Sequence, residues 1–273
     1  MAHKVKNTFS ILFVGDVVGK IGRKTVAKVL PELKEEFQPD LVIANAENLA
    51  HGKGITSETL KELLSAGVDF CTGGNHTFAK DEVVTLLGDG KTPLIRPANF
   101  PPGSPGEGSR VVSVGSRNVL IINLLGRVFM KDQVDDPYAA FDAIYAAHAN
   151  ENLAAVVVDF HAETTSEKVL MGWYTEGRTS AVVGTHTHVP TADCWVLPGG
   201  TAYVSDLGMC GGRDTSLGID KDHALRRLRS PLSGKFEPPE SGHCRFNAVL
   251  VEIDPTTRKA VNIERLDRDI YID

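Results

Sequence analysis

Residues 11–19, ILFVGDVVG, begin with four apolar residues and become polar at Asp16. A short apolar run that ends at a glycine is typical of a buried β-strand. The apolar residues of the next segment, 25–37, recur at helical spacing, and a second apolar run follows at 41–44. A strand, a helix and a strand in this order predict two parallel strands with the helix packed on their sheet.

Working outward from this unit, the same alternation continues along the chain. Helices are predicted at 56–65, 80–87 and 139–148, and strands at 68–71, 111–114, 119–124, 154–160, 181–183, 194–197, 202–204, 246–253 and 260–266. Strands 111–114 and 119–124 lie close enough to form a hairpin, whereas the four prolines and three glycines of 97–109 predict a long surface loop. No repeat or linker divides the sequence, so we expect residues 1–273 to form one α/β domain with two packed sheets.

Composition excludes several classes of protein. The 273 residues are 42% hydrophobic and 23% charged, which is typical of a globular protein rather than a disordered one. A net charge of −6 argues against a protein that coats nucleic acid or an anionic membrane. The four cysteines are far apart, as expected of free thiols in the cytoplasm. The apolar run before Asp16 is shorter than the roughly 7–15 residues of a signal peptide, and no stretch reaches the ~20 of a membrane span.

Side chains that can bind metal ions follow five of the predicted strands. They are Asp16, Glu47 with Asn48, Asn75 with His76, His161, and His186 with His188. Ligands of α/β sheets bind at the carboxyl ends of the strands, so we expect these turns to converge. Carboxylate, amide and imidazole groups suit divalent first-row metals, and so many ligands favour two ions that share a bridging carboxylate.

Each of these residues also has an ordinary structural explanation. An aspartate after a strand commonly forms a turn or caps a helix, as Asp16 could. Asn75 follows two glycines and could occupy a left-handed turn, and His161 could be a core histidine with its hydrogen bonds satisfied. Five independent coincidences, all at strand ends, are needed to explain the whole set in this way. The pattern therefore favours a metal site.

Other nucleotide-binding patterns fail on spacing. Between Gly15 and Gly19 there are three residues, where a P-loop has four, and Ile21 replaces its Ser or Thr after the lysine. The glycines at 15, 19 and 22 also lack the spacing of a dinucleotide-binding loop. A zinc deaminase needs an H-x-E and a P-C-x-x-C motif, which are absent from the sequence.

Taken together, five segments resemble one known family. They are FVGDVVG (13–19), NAEN (45–48), GNHT (74–77), VGTHTHV (183–189) and SDLGM (205–209). The sequence resembles the calcineurin-like metallophosphoesterases, and within them the YmdB-type branch of bacterial cyclic-nucleotide phosphodiesterases, over about residues 9–270. Two departures from the superfamily, Val18 in place of a histidine and Glu47-Asn48 in place of Gly-Asp, are shared by this branch. The resemblance implies a four-layer α/β/β/α sandwich, with two mixed sheets flanked by helices.

The resemblance also implies the roles of the site residues. It implies two ligand sets that share a bridging Glu47: Asp16, Glu47, Asn48 and His188 for one ion, and Glu47, Asn75, His161 and His186 for the other. His76 is then the proton donor to the leaving oxygen, and a metal-bound hydroxide is the nucleophile. The ions are expected to be iron or manganese, with zinc as a third candidate. The implied reaction opens a 2′,3′-cyclic nucleotide, or a similar phosphodiester, to a monoester.

Two alternative functions stay open at this point. One is a general phosphomonoesterase that uses the same metal site, and the other is a non-catalytic regulator that binds a nucleotide or a protein partner. Weaker candidates for substrate contacts are His51, Lys53, Trp173, Tyr174, Arg178 and Arg213. Each of them has a common structural explanation, so no substrate-binding residue is assigned. We expect a small phosphoester substrate, no membrane or stable nucleic-acid complex, and a homo-oligomer as an open alternative to the monomer.

Overall fold

The computed structural model of the protein describes residues 8–230 and 237–273. Its helices are α1 (Gly19–Phe37), α2 (Ser57–Ser65), α3 (Glu82–Gly88), α4 (Pro137–Ala147), α5 (Thr165–Thr175) and α6 (Lys221–Arg229). Its strands are β1 (Phe9–Val14), β2 (Asp16–Val17), β3 (Leu41–Asn45), β4 (Phe70–Thr72), β5 (Ser109–Val114), β6 (Arg117–Leu125), β7 (Ala155–His161), β8 (Ala181–Thr185), β9 (Trp195–Val196), β10 (Ala202–Val204), β11 (Met209–Gly212), β12 (Thr215–Ser216), β13 (Ile219–Asp220), β14 (Gly242–Phe246), β15 (Ala248–Ile253), β16 (Ala260–Arg265) and β17 (Arg268–Ile272).

Two mixed sheets form the centre of the fold. One has the strand order β16-β15-β1-β3-β4, in which β1, β3 and β4 are parallel. The other has the order β5-β6-β7-β8-β10-β9, in which the four inner strands are parallel. Their facing sides pack Phe13 and Ile43 of the first sheet into one core with Ile121 and Val157 of the second. Helices α1 and α2 cover the first sheet and α4 and α5 the second, so the predicted four-layer α/β/β/α sandwich is confirmed.

Alternation along the strands explains the layers. In β1, Phe13 points to the core between the sheets, while Leu12 and Val14 join the core beneath α1. Because both faces of these strands are buried, their sequences are mostly apolar and do not alternate between apolar and polar residues. On α1, Val26 and Leu30 lie one turn apart on the buried stripe that covers the sheet.

Several element boundaries differ from the sequence predictions. The predicted strand 246–253 is wrong as a single element, because Asn247 separates β14 from β15. The carbonyl of Asn247 accepts a hydrogen bond from the Gly15 N–H at 3.0 Å, which takes it out of the sheet. The predicted hairpin is confirmed, with a tight turn at Gly115 and Ser116 between β5 and β6. Helices α5 and α6 and a small four-stranded sheet, β17-β14-β11-β2, were not predicted.

The fold brings the ends of β1, β3, β4, β7 and β8 to one edge of the sandwich. Just after β1, the chain crosses another segment closely. A Cβ atom on Gly15 would lie 2.1 Å from the carbonyl oxygen of Gly208, so only glycine permits this crossing. The following residue, Asp16, is thereby held at the edge where the other turns meet, with its N–H bonded to the Gly208 carbonyl at 3.1 Å.

Within residues 8–230 and 237–273, no helix combines the length and the apolar character that crossing a membrane requires.

Candidate metal centre

One group of potential metal ligands surrounds His161, the last residue of β7. Its Nε2 atom lies 3.0 Å from His186 Nδ1, 3.1 Å from Asn75 Oδ1 and 3.2 Å from Glu47 Oε1. His161 and Glu47 are buried, and the candidate ligand atoms of Glu47, His161 and His186 lie within 4.8 Å of one another. Four side chains from four different turns therefore direct their donor atoms at one point.

A second group adjoins the first and shares Glu47 with it. The amide nitrogen of Asn48 lies 3.4 Å from Asp16 Oδ1, 3.3 Å from His188 Nε2 and 3.2 Å from Glu47 Oε1. His188 Nε2 is itself 3.6 Å from Asp16 Oδ1. Rotating the Asn48 amide by half a turn presents its oxygen to the same neighbours. The structure thus brings together all seven residues that the sequence proposed as ligands.

The turn after β4 needs glycine to reach this cluster. A Cβ atom on Gly74 would lie 2.3 Å from Glu47 Oε2 and 2.5 Å from His161 Nε2. The backbone of the turn also binds the Glu47 carboxylate directly, since the His76 N–H donates to Glu47 Oε2 at 2.7 Å. The Gly-Asn-His sequence therefore lets main chain and side chains approach Glu47 together.

The His186-Thr187-His188 turn has an unusual backbone that a buried ion pair supports. His186 and His188 have φ angles of 98° and 64°, a region that non-glycine residues rarely occupy. Between them, the N–H and hydroxyl of Thr187 donate to Asp206 Oδ2 at 3.1 and 2.7 Å. The same carboxylate oxygen accepts a hydrogen bond from buried Lys168 at 2.6 Å. These contacts fix the turn that directs both imidazoles at the cluster.

The second nitrogen of His161 is fixed by a hydroxyl. Its Nδ1 atom lies 2.9 Å from Thr185 Oγ1, and that hydroxyl donates its hydrogen to Asp159 Oδ1 at 2.7 Å. Because the hydroxyl has one hydrogen, His161 must donate from Nδ1 to Thr185. Burial raises the pKa of Asp159 to about 6, which is still below neutral pH. The carboxyl is therefore ionised at neutral pH and accepts hydrogen bonds. This arrangement leaves Nε2 of His161 for a metal.

Partners on the other two histidines have the same effect. His186 Nε2 lies 3.0 Å from the carboxylate of Glu163, and His188 Nδ1 lies 3.0 Å from the carbonyl oxygen of Leu217. His186 is therefore held with Nδ1, and His188 with Nε2, toward the cluster. Fixing the outer nitrogen of a histidine in this way is the usual means by which proteins orient metal ligands.

The ionisable side chains of the cluster change one another's pKa values. Burial alone would raise the pKa of Asp16, but the charge and hydrogen bond of His188, together with His161, hold it well below its ordinary value. Burial likewise opposes ionisation of Glu47, yet His161 lowers the pKa of that carboxyl. Burial would lower the pKa of His161, but Glu47 and Asp16 raise it to about 9. For His186, burial and the neighbouring His161 lower the pKa to about 3.

The donor set fits divalent metal ions. Three imidazole nitrogens, two buried carboxylates and two amides face one another, with the His161 and His186 nitrogens 3.0 Å apart. Mixed imidazole and oxygen ligands suit Mn, Fe and Zn, whereas a structural zinc site would normally contain cysteine. Proteins seldom bury so many ionisable groups in mutual contact without a cation to balance them.

Two cavities open onto the cluster and share His76, Glu163 and His186. The smaller, of about 250 Å³, extends past His51 and Leu217. The larger, of about 570 Å³, extends past Lys53, Phe78 and Phe129. Volumes of this size suit small-molecule ligands. Candidate metal ligands therefore form part of the wall of both cavities.

His76 stands half-buried where the cavities join. Its Nδ1 atom is 3.2 Å from the side-chain amide of Asn75, and its backbone N–H is bound to Glu47. Burial lowers the pKa of His76, the positive charges of Lys53 and His161 lower it further, and Glu47 opposes both. The lowered pKa reduces the protonated fraction of His76 at neutral pH and makes its protonated ring a stronger acid toward a neighbouring oxygen.

The weaker candidates separate into two sets. His51 and Lys53 line the cavities. Arg178 instead binds Asp142 at 2.7 Å, and Arg213 lies 3.4 Å from Asp269, and neither arginine lines either cavity. The two aromatic candidates pack edge-to-face against other rings away from the site: Trp173 against Trp195 and Tyr174 against Tyr138.

Sequence reasoning missed the residues that position the candidate ligands through hydrogen bonds. Asp159 and Glu163 stand two residues before and after His161, and Asp206 lies in the SDLGM segment that was noted only for its resemblance. The period of two along β7 places Asp159 on the face of His161, which is the one signal that could have found it. Nothing local in the sequence pairs Glu163 with His186 or Asp206 with Thr187.

Comparison with known proteins identifies the family of this chain. The sequence profile described as YmdB-like protein matches residues 12–266. The chain belongs to the YmdB-like family. This YmdB-like chain is 46% identical, over 94% of its length and 96% of the relative's, to the 2′,3′-cyclic-nucleotide 2′-phosphodiesterase of Bacillus subtilis.

Solved structures extend the comparison to the fold. The crystal structure of a phosphatase from Mycoplasma pneumoniae is 35% identical, with a TM-score of 0.89, over 97% of this chain and 95% of that one. The NAD nucleotidase of Haemophilus influenzae shares only the fold, with 16% identity and a TM-score of 0.62 over 97% of this chain and 56% of that one. The predicted family is confirmed, as is the predicted enzyme class, a hydrolase of phosphoester bonds.

Proposed function

We propose that this YmdB-like chain is a two-metal phosphodiesterase that opens 2′,3′-cyclic nucleotides, or closely similar phosphodiesters, to phosphomonoesters. One observation carries the proposal: two groups of metal-binding atoms share Glu47 and adjoin His76 where two cavities meet. The name of the Bacillus subtilis relative supports the cyclic substrate. The four free thiols support our assignment of the enzyme to the cytoplasm.

The residues that hold the two ions follow from the two groups. We assign Asp16, Glu47, Asn48 and His188 to one ion, and Glu47, Asn75, His161 and His186 to the other. Iron or manganese is the proposed occupant, with zinc as the third candidate. Two bound ions of this kind supply Lewis acidity at phosphorus and an activated water molecule.

His76 is proposed as the general acid. Opening a cyclic diester expels a sugar oxygen, which is a poor leaving group until it gains a proton. His76 lines both cavities beside Glu47, so a proton on its ring can reach a substrate held over the cluster. Positioned proton donors contribute roughly 10²–10⁴-fold to such reactions. Lys53, in the same cavity, adds positive charge that favours an anionic substrate.

A cysteine nucleophile is not needed and is disfavoured. Cys71 and Cys210 are buried, and burial raises the pKa of both thiols far above neutrality. Burial also raises the pKa of half-buried Cys194 to about 11. Thiolates are the reactive form of cysteine, so these side chains stay inert at pH 7.

Product analysis separates the proposal from its alternatives. The Mn²⁺-loaded protein is incubated with 2′,3′-cyclic AMP and, separately, with 3′-AMP, and the products are resolved by chromatography. A phosphodiesterase converts the cyclic compound to AMP, which accumulates. Rapid conversion of 3′-AMP to adenosine would instead support a general phosphomonoesterase. A protein that binds 2′,3′-cyclic AMP but converts neither compound would be the non-catalytic regulator.

A further inference from the structure

We infer that the larger cavity contains a subsite for the nucleobase of the substrate, with Phe129 as its stacking surface. This inference rests on the proposed function, because the metal cluster would hold the phosphate while the base occupies the cavity beside it. The cavity of about 570 Å³ is lined by Phe129 together with His76, so one ligand can reach both residues.

Phe129 has two features that folding does not require. Its side chain is 86% exposed, the highest value among the large hydrophobic residues of the described chain. Its φ angle is 62°, in the left-handed region that bulky residues rarely adopt. Exposed apolar surface and backbone strain both oppose folding, and strain of this kind concentrates at ligand sites. A planar apolar ligand that stacks on the Phe129 ring would bury its exposed surface. The free energy of this contact would offset the cost of the exposed ring and of the strained backbone.

The loop that carries Phe129 is anchored at its base. The N–H groups of Arg127 and Val128 donate to the two carboxylate oxygens of buried Glu167 at 2.8 and 3.1 Å. A turn closed by the Met130 N–H on the Arg127 carbonyl then presents Phe129 to the cavity. The aromatic ring therefore extends from a positioned turn, as a preorganised binding residue does.

Other walls of the cavity also suit a nucleobase. Phe78, two residues after His76, packs edge-to-face on Phe100 with ring centroids 5.3 Å apart, and it lines the same space as Met130. Lys131 and Asp132 add both a donor and an acceptor group, as polar base edges require. Aromatic rings stack on any base and so bind nucleotides without strong sequence preference.

The smaller cavity is a poorer place for the base. It measures about 250 Å³, and its apolar wall consists of aliphatic residues such as Leu217, Ile219 and Pro238. In the part of the chain that the structure describes, no phenylalanine, tyrosine or tryptophan lines it. His76 lines both cavities, so Leu217, in the wall of the smaller one, provides a matched comparison for Phe129.

The test compares two substrates that differ only in the base. They are 2′,3′-cyclic AMP and the 2′,3′-cyclic phosphate of methyl riboside, assayed with the Mn²⁺-loaded protein. In the Phe129→Ala variant, the ratio of kcat/KM for the first substrate to that for the second is expected to fall about 5- to 100-fold, the effect of losing one stacked base. Phe129→Trp keeps a ring and should retain the wild-type ratio, as should the exposed neighbour variant Val128→Ala.

Two results would overturn the subsite. One is an unchanged ratio in Phe129→Ala, and the other is a loss of the ratio in Leu217→Ala instead, which would place the base in the smaller cavity. Adenosine provides a readout without catalysis, because it carries the base and no phosphate. Wild-type protein should bind adenosine and the Phe129→Ala variant should bind it at least 5-fold more weakly, by about the loss of one stacked base.

The adenosine measurement also separates the two proposals. If the wild-type protein hydrolyses neither substrate but adenosine binding depends on Phe129, the proposed reaction is wrong and the subsite stands. If 2′,3′-cyclic AMP is hydrolysed but adenosine binding is the same in wild type and Phe129→Ala, the reaction stands and the subsite is wrong.

Discussion

The hydroxyl oxygen of Thr185 lies 2.9 Å from Nδ1 of His161, and this contact fixes which nitrogen of the histidine faces the other proposed metal ligands. The Thr185 hydroxyl donates its one hydrogen bond to Asp159, so His161 must be the donor in its contact with Thr185. The positioning of a proposed metal ligand therefore depends on a residue that touches neither metal nor substrate.

Removing this hydroxyl should weaken metal binding. The Thr185→Val variant keeps the shape of the side chain but leaves Nδ1 of His161 without its acceptor. We expect about a 10- to 100-fold loss of Mn²⁺ affinity, the usual effect of losing such a partner, measured by titration of the metal-free protein. Thr185→Ser should restore binding. Thr72→Val, which removes a different hydroxyl from Asp159, is the matched control, and equal losses in both variants would contradict a specific role for Thr185.

Replacing His76 should separate chemistry from metal binding. In His76→Ala, turnover of 2′,3′-cyclic AMP is expected to fall about 10²–10⁴-fold because the leaving oxygen loses its proton donor. Activated aryl diesters, whose leaving groups need no proton, should be affected far less. Metal content, measured by elemental analysis, should stay at the wild-type value. The control is His223→Ala, an exposed histidine of α6 that lines neither cavity and should leave turnover unchanged. Near-wild-type turnover of the cyclic nucleotide by His76→Ala would show that another group donates the proton.

The buried pair of Lys168 and Asp206 should contribute strongly to stability. In Lys168→Met, the Asp206 carboxylate remains buried without its cation, which costs about 3–5 kcal/mol in the free energy of unfolding. Urea unfolding followed by circular dichroism measures this change. Lys20→Met removes a cation from an exposed pair with Glu240 and should cost about 1 kcal/mol or less. Similar losses in the two variants would contradict a strong contribution of the buried Lys168–Asp206 pair to stability.

Metal binding should release a proton. In the metal-free protein, Glu47 and Asp16 raise the pKa of His161 to about 9, so the imidazole is protonated at pH 7.5 and must lose its Nε2 proton to bind a metal. Affinity for Mn²⁺ should therefore increase as pH rises from 7 and level off above about pH 9. Calorimetry in two buffers of different ionisation enthalpy measures the released proton. Buffer-independent binding heats at pH 7.5 would contradict the raised pKa.

The sheet edge at which the candidate ligands meet could be predicted from the sequence. The residues that orient these ligands could not. Asp16, Asn75 and His161 each follow an apolar run, and parallel strands bring such ends together whatever the loops do. The contact between Glu163 and His186 depends instead on how two loops approach after folding. No periodic pattern encodes that approach, so this contact could not be predicted from the sequence.

Two further features of the structure could not be predicted from the sequence pattern. Apolar residues stand on both sides of Asn247, and one polar residue is common within a strand, so periodicity could not locate the break between β14 and β15. At this break the Asn247 carbonyl accepts a hydrogen bond from Gly15. Phe129 reads in sequence as an ordinary hydrophobic residue, and only its exposure and φ angle distinguish it. Local patterns predict elements and their ends, whereas crossings and loop conformations depend on contacts distant in sequence.

The measurement that tests the central claim most directly is a Mn²⁺ titration of metal-stripped protein, with 2′,3′-cyclic AMP hydrolysis and bound metal followed together. We predict that stripped protein is inactive and that turnover returns as metal binds, reaching its maximum at two ions per chain, because Glu47 belongs to two ligand groups. Full turnover by the stripped protein, or no metal bound to it at any concentration, would contradict the two-metal phosphodiesterase.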